Sequence, residues 1–312
     1  MIMLELIKEN WIVFTLLAAT SGAICGFVEN YMSDVVYKKR YPQANKCFFA
    51  VAYTIVGIIL IVAGGGTEMN FEAVGLPLIA GAVNAISMIF FEAGLAREES
   101  TASRIFAQLS PLSYLILGAI FLGQKIAGVQ WLAFFIVLSA PAITLFFGHS
   151  KRKKKIDYKS AASFCLYNLL SPVANLILVS VSGKYSFLTS VGLIYIGRGV
   201  TDAILVGVKK PWRDQFRRAW RRDKKKLITS HMTRLFTWFV ASFVYRVALT
   251  GSAVALVSVV YNASDLIITF FLGLMLSIVW PNFGREKLEK RTVIAHLISV
   301  AVATVGIILL KS

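Results

Sequence analysis

The chain has 312 residues, of which 57% are hydrophobic and 16% charged, with a mean hydropathy of +0.70. Soluble domains carry nearer a quarter charged residues, and so much apolar surface has no place in a soluble core, which excludes a soluble enzyme. The 33 Lys and Arg against 16 Asp and Glu, net +17, sit in gaps between apolar runs rather than along one face, which excludes a nucleic-acid-binding surface.

A bilayer core about 30 Å thick is crossed by roughly 20 helical residues. Apolar runs of that length fall near 11–32, 47–65, 73–95, 102–123 and 129–147. After a polar, basic break from His149 to Lys159, five more fall near 161–182, 186–207, 229–249, 252–279 and 292–310. Lipid offers no hydrogen bonds, so these spans are expected to be helices, and they lack the alternation of an outer-membrane barrel. The expected fold is all-α integral membrane, with ten transmembrane helices in two blocks of five, residues 1–150 and 151–312. Only Lys8 and two glutamates precede the first run, which has no small-residue cleavage site, so that span is expected to be retained.

An ionisable side chain inside a span costs several kcal/mol unless it is paired or faces a cavity, so each one is a candidate for the substrate or ion path. Ser21, Cys25 and Glu29 share a face of the first helix. Glu92 lies near the end of the third, close enough to that end to snorkel to water. Asn168, Ser171 and Asn175 share a face of the sixth beside Pro172. In the seventh, Tyr195, Arg198 and Asp202 follow at steps of 3 and 4, a spacing at which arginine and aspartate can neutralise each other. Arg246 in the eighth has no acid within reach on its own helix and must find Asp265, Glu92, an anionic substrate or the interface. In the ninth, Ser258, Asn262, Asp265, Thr269 and Gly273 form one polar stripe on an apolar helix. That stripe either lines a transport path or bonds to neighbouring helices.

The gap after the seventh span, "KKPWRDQFRRAWRRDKKK", holds Pro211 at a helix start and Trp212, Phe216 and Trp220 at four-residue spacing among cations. It reads either as a surface helix on an anionic leaflet, aromatic side down, each cation adding about 1 kcal/mol of attraction, or as a solvated loop that obeys the positive-inside rule. Cys25, Cys47 and Cys165 have no CxxC or metal spacing, and His149, His231 and His296 are scattered, so no metal site or cofactor is expected. There is no GxxxxGK[ST] phosphate loop.

The two blocks resemble each other. "STASRIFAQLSPLSYLI" aligns with "GSAVALVSVVYNASDLI" at an offset of about 151, putting Ala102 on Ala253 and Pro111 on Asn262. Turns carrying "LGQK" and "FGREK" follow, the second copy needing extra residues around Trp280 and Pro281. Five spans per copy is odd, so tandem copies insert in opposite senses, as in the inverted repeats of many secondary transporters.

The stretch "SPLSYLILGAIFLGQKIAGVQWLAFFIVLSAPAITLF" and its weaker partner ending "FGREKLEKRTVIAHLISVAVATVGIILL" give the chain the pattern of a known family. It resembles the drug/metabolite transporter superfamily, in particular ten-helix members built from two EamA-type repeats. That resemblance implies a transporter of small metabolites or drugs, often an exporter, in the cell membrane, with a small-molecule substrate and a coupling ion or proton. Family repeats often carry an acid in an "LGE" turn; here the first has Gln124 and only the second keeps Glu286. A lipid-linked sugar flippase and a non-transporting subunit or channel are the alternatives.

The odd-numbered gaps, with Arg104 included, hold 26 Lys and Arg and the even gaps and termini about 4. The positive-inside rule then places the odd gaps in the cytoplasm and both termini outside, opposite to the habit of the family. Alkaline phosphatase fused to either end is expected to be active, and a fluorescent protein there dark; the reverse pattern would put both ends in the cytoplasm.

Overall fold

The computed structural model describes residues 2–37, 42–66, 70–95, 110–126, 128–148, 158–182, 184–279 and 290–309. Among these, every regular element is helical. The chain runs α1 Ile2–Tyr31, a π turn Met32–Val36, a 3-10 turn Pro42–Asn45, α2 Lys46–Ala63, a π turn Phe71–Gly75 and α3 Leu76–Leu95. It continues with α4 Ser110–Leu122, α5 Gly128–Gly148, α6 Tyr158–Ser182, α7 Phe187–Val208 and α8 Lys210–Arg222. The last three helices are α9 Lys224–Leu249, α10 Val254–Val279 and α11 Lys290–Leu309. Ala102, Trp280, Pro281 and the turn with Glu286 lie outside the described residues.

Six segments are both long and apolar enough to cross a bilayer: Glu9–Glu29, Gln43–Ala63, Phe71–Gly94, Ala162–Ser182, Phe187–Val208 and Val254–Leu276. The chain is an integral, multi-pass membrane protein. Six rather than ten helices meet both criteria among the described residues. Three of the other expected spans appear as shorter apolar helices, Ser110–Leu122, Gly128–Ala140 and Val293–Leu309. The remaining one, in α9, is long but charged: it opens on three lysines and buries Arg234 and Arg246.

The helices form two compact units, each drawing on both halves of the chain. One comprises Met1–Phe27, Arg104–Ile156 and Thr237–Ser312, the other Val28–Ser103 and Asp157–Phe236. Succession along the chain, with its break near residue 150, is therefore not the same division as compactness.

In the first unit α11 packs along α5, and α10 meets α4 and α5. The Ser299 hydroxyl bonds the Ala140 carbonyl, a use of a small polar residue to hold helices that share an apolar environment. The turn after α4 passes through Gly123 at φ +61°, a conformation that favours glycine. Gln124 then accepts a hydrogen bond from the Val254 amide at 3.0 Å. That amide opens α10, so the glutamine caps a helix start with the neutral oxygen of its side chain. Absence of an acid from the first "LG" turn does not deprive that turn of a capping role.

In the second unit α2 packs along α7, and α3 lies against both α6 and α7. Glycines make these approaches close. A Cβ built on Gly57 would lie 2.6 Å from the Gly192 carbonyl oxygen, and one on Gly192 2.7 Å from that of Gly57. Gly81 and Gly197 likewise face the backbone of the opposing helix, at Ile194 and Leu78. Backbone cannot swing aside as a side-chain tip can, so any larger residue must push α2 from α7. Gly192→Leu is expected to destabilise the protein by about 3 kcal/mol, the upper range for an overpacked core, read as a lowered unfolding temperature in detergent; an unchanged midpoint would deny the close approach.

Candidate functional site

The second unit contains a buried cluster of charge at the end where α2 begins and α3 finishes. Lys46, the first residue of α2, is 2% exposed. Its ammonium lies 3.1 Å from Asp202 Oδ1 on α7 and 3.7 Å from Glu92 Oε2 on α3, with Asp202 1% and Glu92 6% exposed. Both carboxylate oxygens are closed to solvent and accept no aligned hydrogen bond, so the contact is an ion pair by distance alone. Asp202 thus meets Lys46 on another helix, a partner that the spacing along its own helix does not reveal. Glu92 does not snorkel to water.

Arg198 instead donates from NH1 to Asn84 Oδ1 of α3 at 2.8 Å, and its guanidinium stands 4.4 Å from the centre of the Tyr53 ring on α2. Tyr53 in turn neighbours Phe49 and Tyr195, at centroid distances of 5.2 and 5.9 Å. Farther along, Arg234 of α9 grips Glu29 Oε1 of α1 through Nε at 2.8 Å and NH2 at 2.5 Å. Its guanidinium covers the Phe49 ring at 4.3 Å. The cluster therefore sets Lys46, Arg198 and Arg234 against Glu29, Glu92 and Asp202, and three charges of each sign make it neutral when all are ionised. Asn168 and Asn175 on α6 are buried in the same unit.

Beyond Arg234 the polar chain ends in neutral groups. His231 Nδ1 is 2.8 Å from the Leu227 carbonyl, which can only accept, so the proton sits on Nδ1 and Nε2 accepts from the Tyr37 hydroxyl at 3.0 Å. Burial pushes the Tyr37 phenol well above its usual range, so it remains a donor. Phe48, Phe49 and Phe216 surround the imidazole at 4.7, 5.6 and 6.2 Å between ring centres.

The first unit holds the other predicted residues. Asn262 donates from Nδ2 to Ser110 Oγ on α4 at 3.0 Å and to the Ser258 carbonyl at 2.9 Å, and Ser258 and Thr269 are buried. This part of the stripe is bonded into a helix seam. Asp265, half-buried, faces α1 where Gly22 leaves room, a Cβ there falling 3.6 Å from Oδ1. Arg246 on α9 is buried.

The surface helix α8 turns differently from its expected pose. Gln215 and Ala219 are its buried residues, the Gln215 amide donating to the Tyr37 carbonyl at 3.0 Å. Phe216, like Val28 and Tyr31, packs on a core that includes Met32, Val36 and Leu227, so it faces protein rather than lipid. Trp212 is half-buried and Trp220 is 38% exposed, with Lys224 4.9 Å above its ring. A four-residue step overshoots a helical turn by about 40°, so Trp212, Phe216 and Trp220 drift over an arc of about 80° while staying on one side of the helix.

Lys46, Arg234 and Asn84 escaped notice in the sequence. Lys46 abuts an apolar run and counts there as a loop charge; the signal was its position, one residue before Cys47, where a helix needs only one more residue to bury it.

No protein-family model matches the chain. A stretch of 171 residues, 54% of this chain, is 25% identical to the pseudopaline exporter CntI of Pseudomonas aeruginosa, in strains UCBPP-PA14 and PAO1. The match covers 55% of that protein, so the chain spans about half the length of the curated relatives it matches. A solved structure described only as "Crystal structure of protein" superposes with a TM-score of 0.61 over 98% of both chains at 12% identity, a likeness of fold alone.

Lys46→Met strands two buried carboxylates, and breaking a buried pair from one side costs about 3–5 kcal/mol. That loss of stability is expected in detergent at alkaline pH, shrinking as pH falls because protonation removes the stranded charges. The double variant Lys46→Met/Asp202→Asn should recover part of it; additive losses would show that the two groups do not interact.

Proposed function

We propose that this chain is a secondary transporter that moves a small metabolite or drug across the cell membrane by alternating access, in the direction of export. The observation that carries the proposal is the buried charge cluster of Lys46, Asp202, Glu92, Arg198, Glu29 and Arg234 on helices of membrane length. Such groups are rare in lipid-embedded helices and mark substrate or ion paths. Similarity to a pseudopaline exporter over half the chain supports export as the direction. An arrangement of ten spans as two inverted EamA-type repeats agrees with the internal likeness of the two halves. No step of covalent chemistry is part of this function, and α8, with its outward Arg and Lys, is placed by it on an anionic leaflet.

A thermal-shift screen of the purified protein against a metabolite panel, followed by flux of the hits into proteoliposomes with and without a pH gradient, tests the proposal. Saturable flux that exchanges across the membrane is expected, whereas non-saturating flux would indicate a channel. Asp202→Asn and Asp265→Asn should each lower it at least about tenfold, the loss of a contact worth about 1.4 kcal/mol, with membrane-inserted protein undiminished. Unchanged flux in Asp265→Asn would remove that residue from the path.

A further inference from the structure

Lys46 has one positive charge and stands between two carboxylates. The other ionisable groups around Glu92 among the described residues already have partners. On α9, Arg234 binds Glu29 of α1 through two nitrogens, and His231 is held between Tyr37 and the Leu227 carbonyl. On α7, Arg198 is bonded to Asn84 and stacked on Tyr53 of α2. Helix α6 meets this end of α3 through Phe164 and Tyr167, which pack on Phe91 beside Glu92.

Within the triad itself the charge does not balance. Asp202 holds the ammonium at 3.1 Å, and Glu92, at 3.7 Å, is the looser partner; Glu92 Oε2 is buried and accepts no hydrogen bond. Two carboxylates that share one ammonium in a dry site compete for it, and the one held less closely, Glu92, is the one whose neutral form is favoured. A metal ion would have to lie beside an ammonium, whereas a proton needs one oxygen lone pair.

We propose that Glu92 is an exchangeable proton-binding site whose proton competes with Lys46. With the proton on Glu92, Lys46 belongs to Asp202. When the O–H bond breaks, its electron pair stays on Glu92, the proton leaves to water, and the new carboxylate draws the ammonium toward α3. Uptake reverses the shift. The two states differ in which of α3 and α7 the start of α2 is tied to, which makes the triad a two-state element biased by one proton. Coupling of this exchange to substrate movement rests on the transport function proposed above; proton binding at Glu92 does not.

Infrared spectroscopy of the protein in liposomes, with no substrate added, reads the proton directly. At neutral pH, where exposed carboxylates are ionised, the wild type should show a protonated-carboxyl C=O band that shifts in D₂O and disappears on alkaline titration. Glu92→Gln, nearly isosteric, should lack it. Lys46→Gln, deprived of the ammonium with which the proton competes, should keep the Glu92 band to higher pH in the alkaline titration. Absence of the band in wild type, or its survival in Glu92→Gln, would overturn the proposal. A band that disappears at the same pH in Lys46→Gln as in wild type would overturn the competition. Flux failing in the proteoliposomes while the band behaves as described would refute the transport function and leave the proton site standing.

Discussion

One constraint governs the second unit: charge taken out of water has to be neutralised by charge reached from another helix. Lys46 does this at the start of α2, where its ammonium joins α7 through Asp202 and approaches α3 through Glu92. Buried pairs of this kind add little net stability because desolvation offsets the attraction. Their effect is to punish every arrangement that separates them. Register between α2, α3 and α7 is therefore enforced by what happens when the contacts are missing. The glycine contacts along α2 and α7 and along α3 and α7 are the complementary device, since they bring the backbones near enough for short acids to reach.

Arg246 apart, the first unit carries much of its polar burial on neutral groups. Asn262 is bonded to Ser110 and to its own helix, Ser299 reaches Ala140, and Gln124 caps α10. Amide and hydroxyl bonds between helices are worth about 1 kcal/mol or less each in lipid, and they do not change with pH. Asp265 is the exception on this stripe, being an acid where its neighbours are neutral.

Outside the charged cluster, the second unit ends in an aromatic box around His231. Tyr37, just past the π turn that ends α1, fixes one ring nitrogen, while its own carbonyl receives the Gln215 amide from α8. The basic helix is thus tied by specific bonds to the same short segment that positions the imidazole. Its orientation comes from Gln215, Ala219 and Phe216 turned inward, and its cations are what remains outside.

The sequence by itself determined the class of molecule: runs of about 20 apolar residues have only one stable form in lipid, and six of them stand as membrane-length helices. It also marked Glu92, Arg198, Asp202 and the α10 stripe, because an ionisable or polar residue in an apolar run stands out without any knowledge of its surroundings. Pairing was decided only by the tertiary structure. The step of four from Arg198 to Asp202 permits a bond along one helix, yet Asp202 meets Lys46 from far earlier in the chain, and Glu29 meets Arg234 across 205 residues. Helical periodicity tells which residues share a face; which face of which other helix lies opposite depends on backbone approaches between distant segments, and those leave no mark in a local pattern.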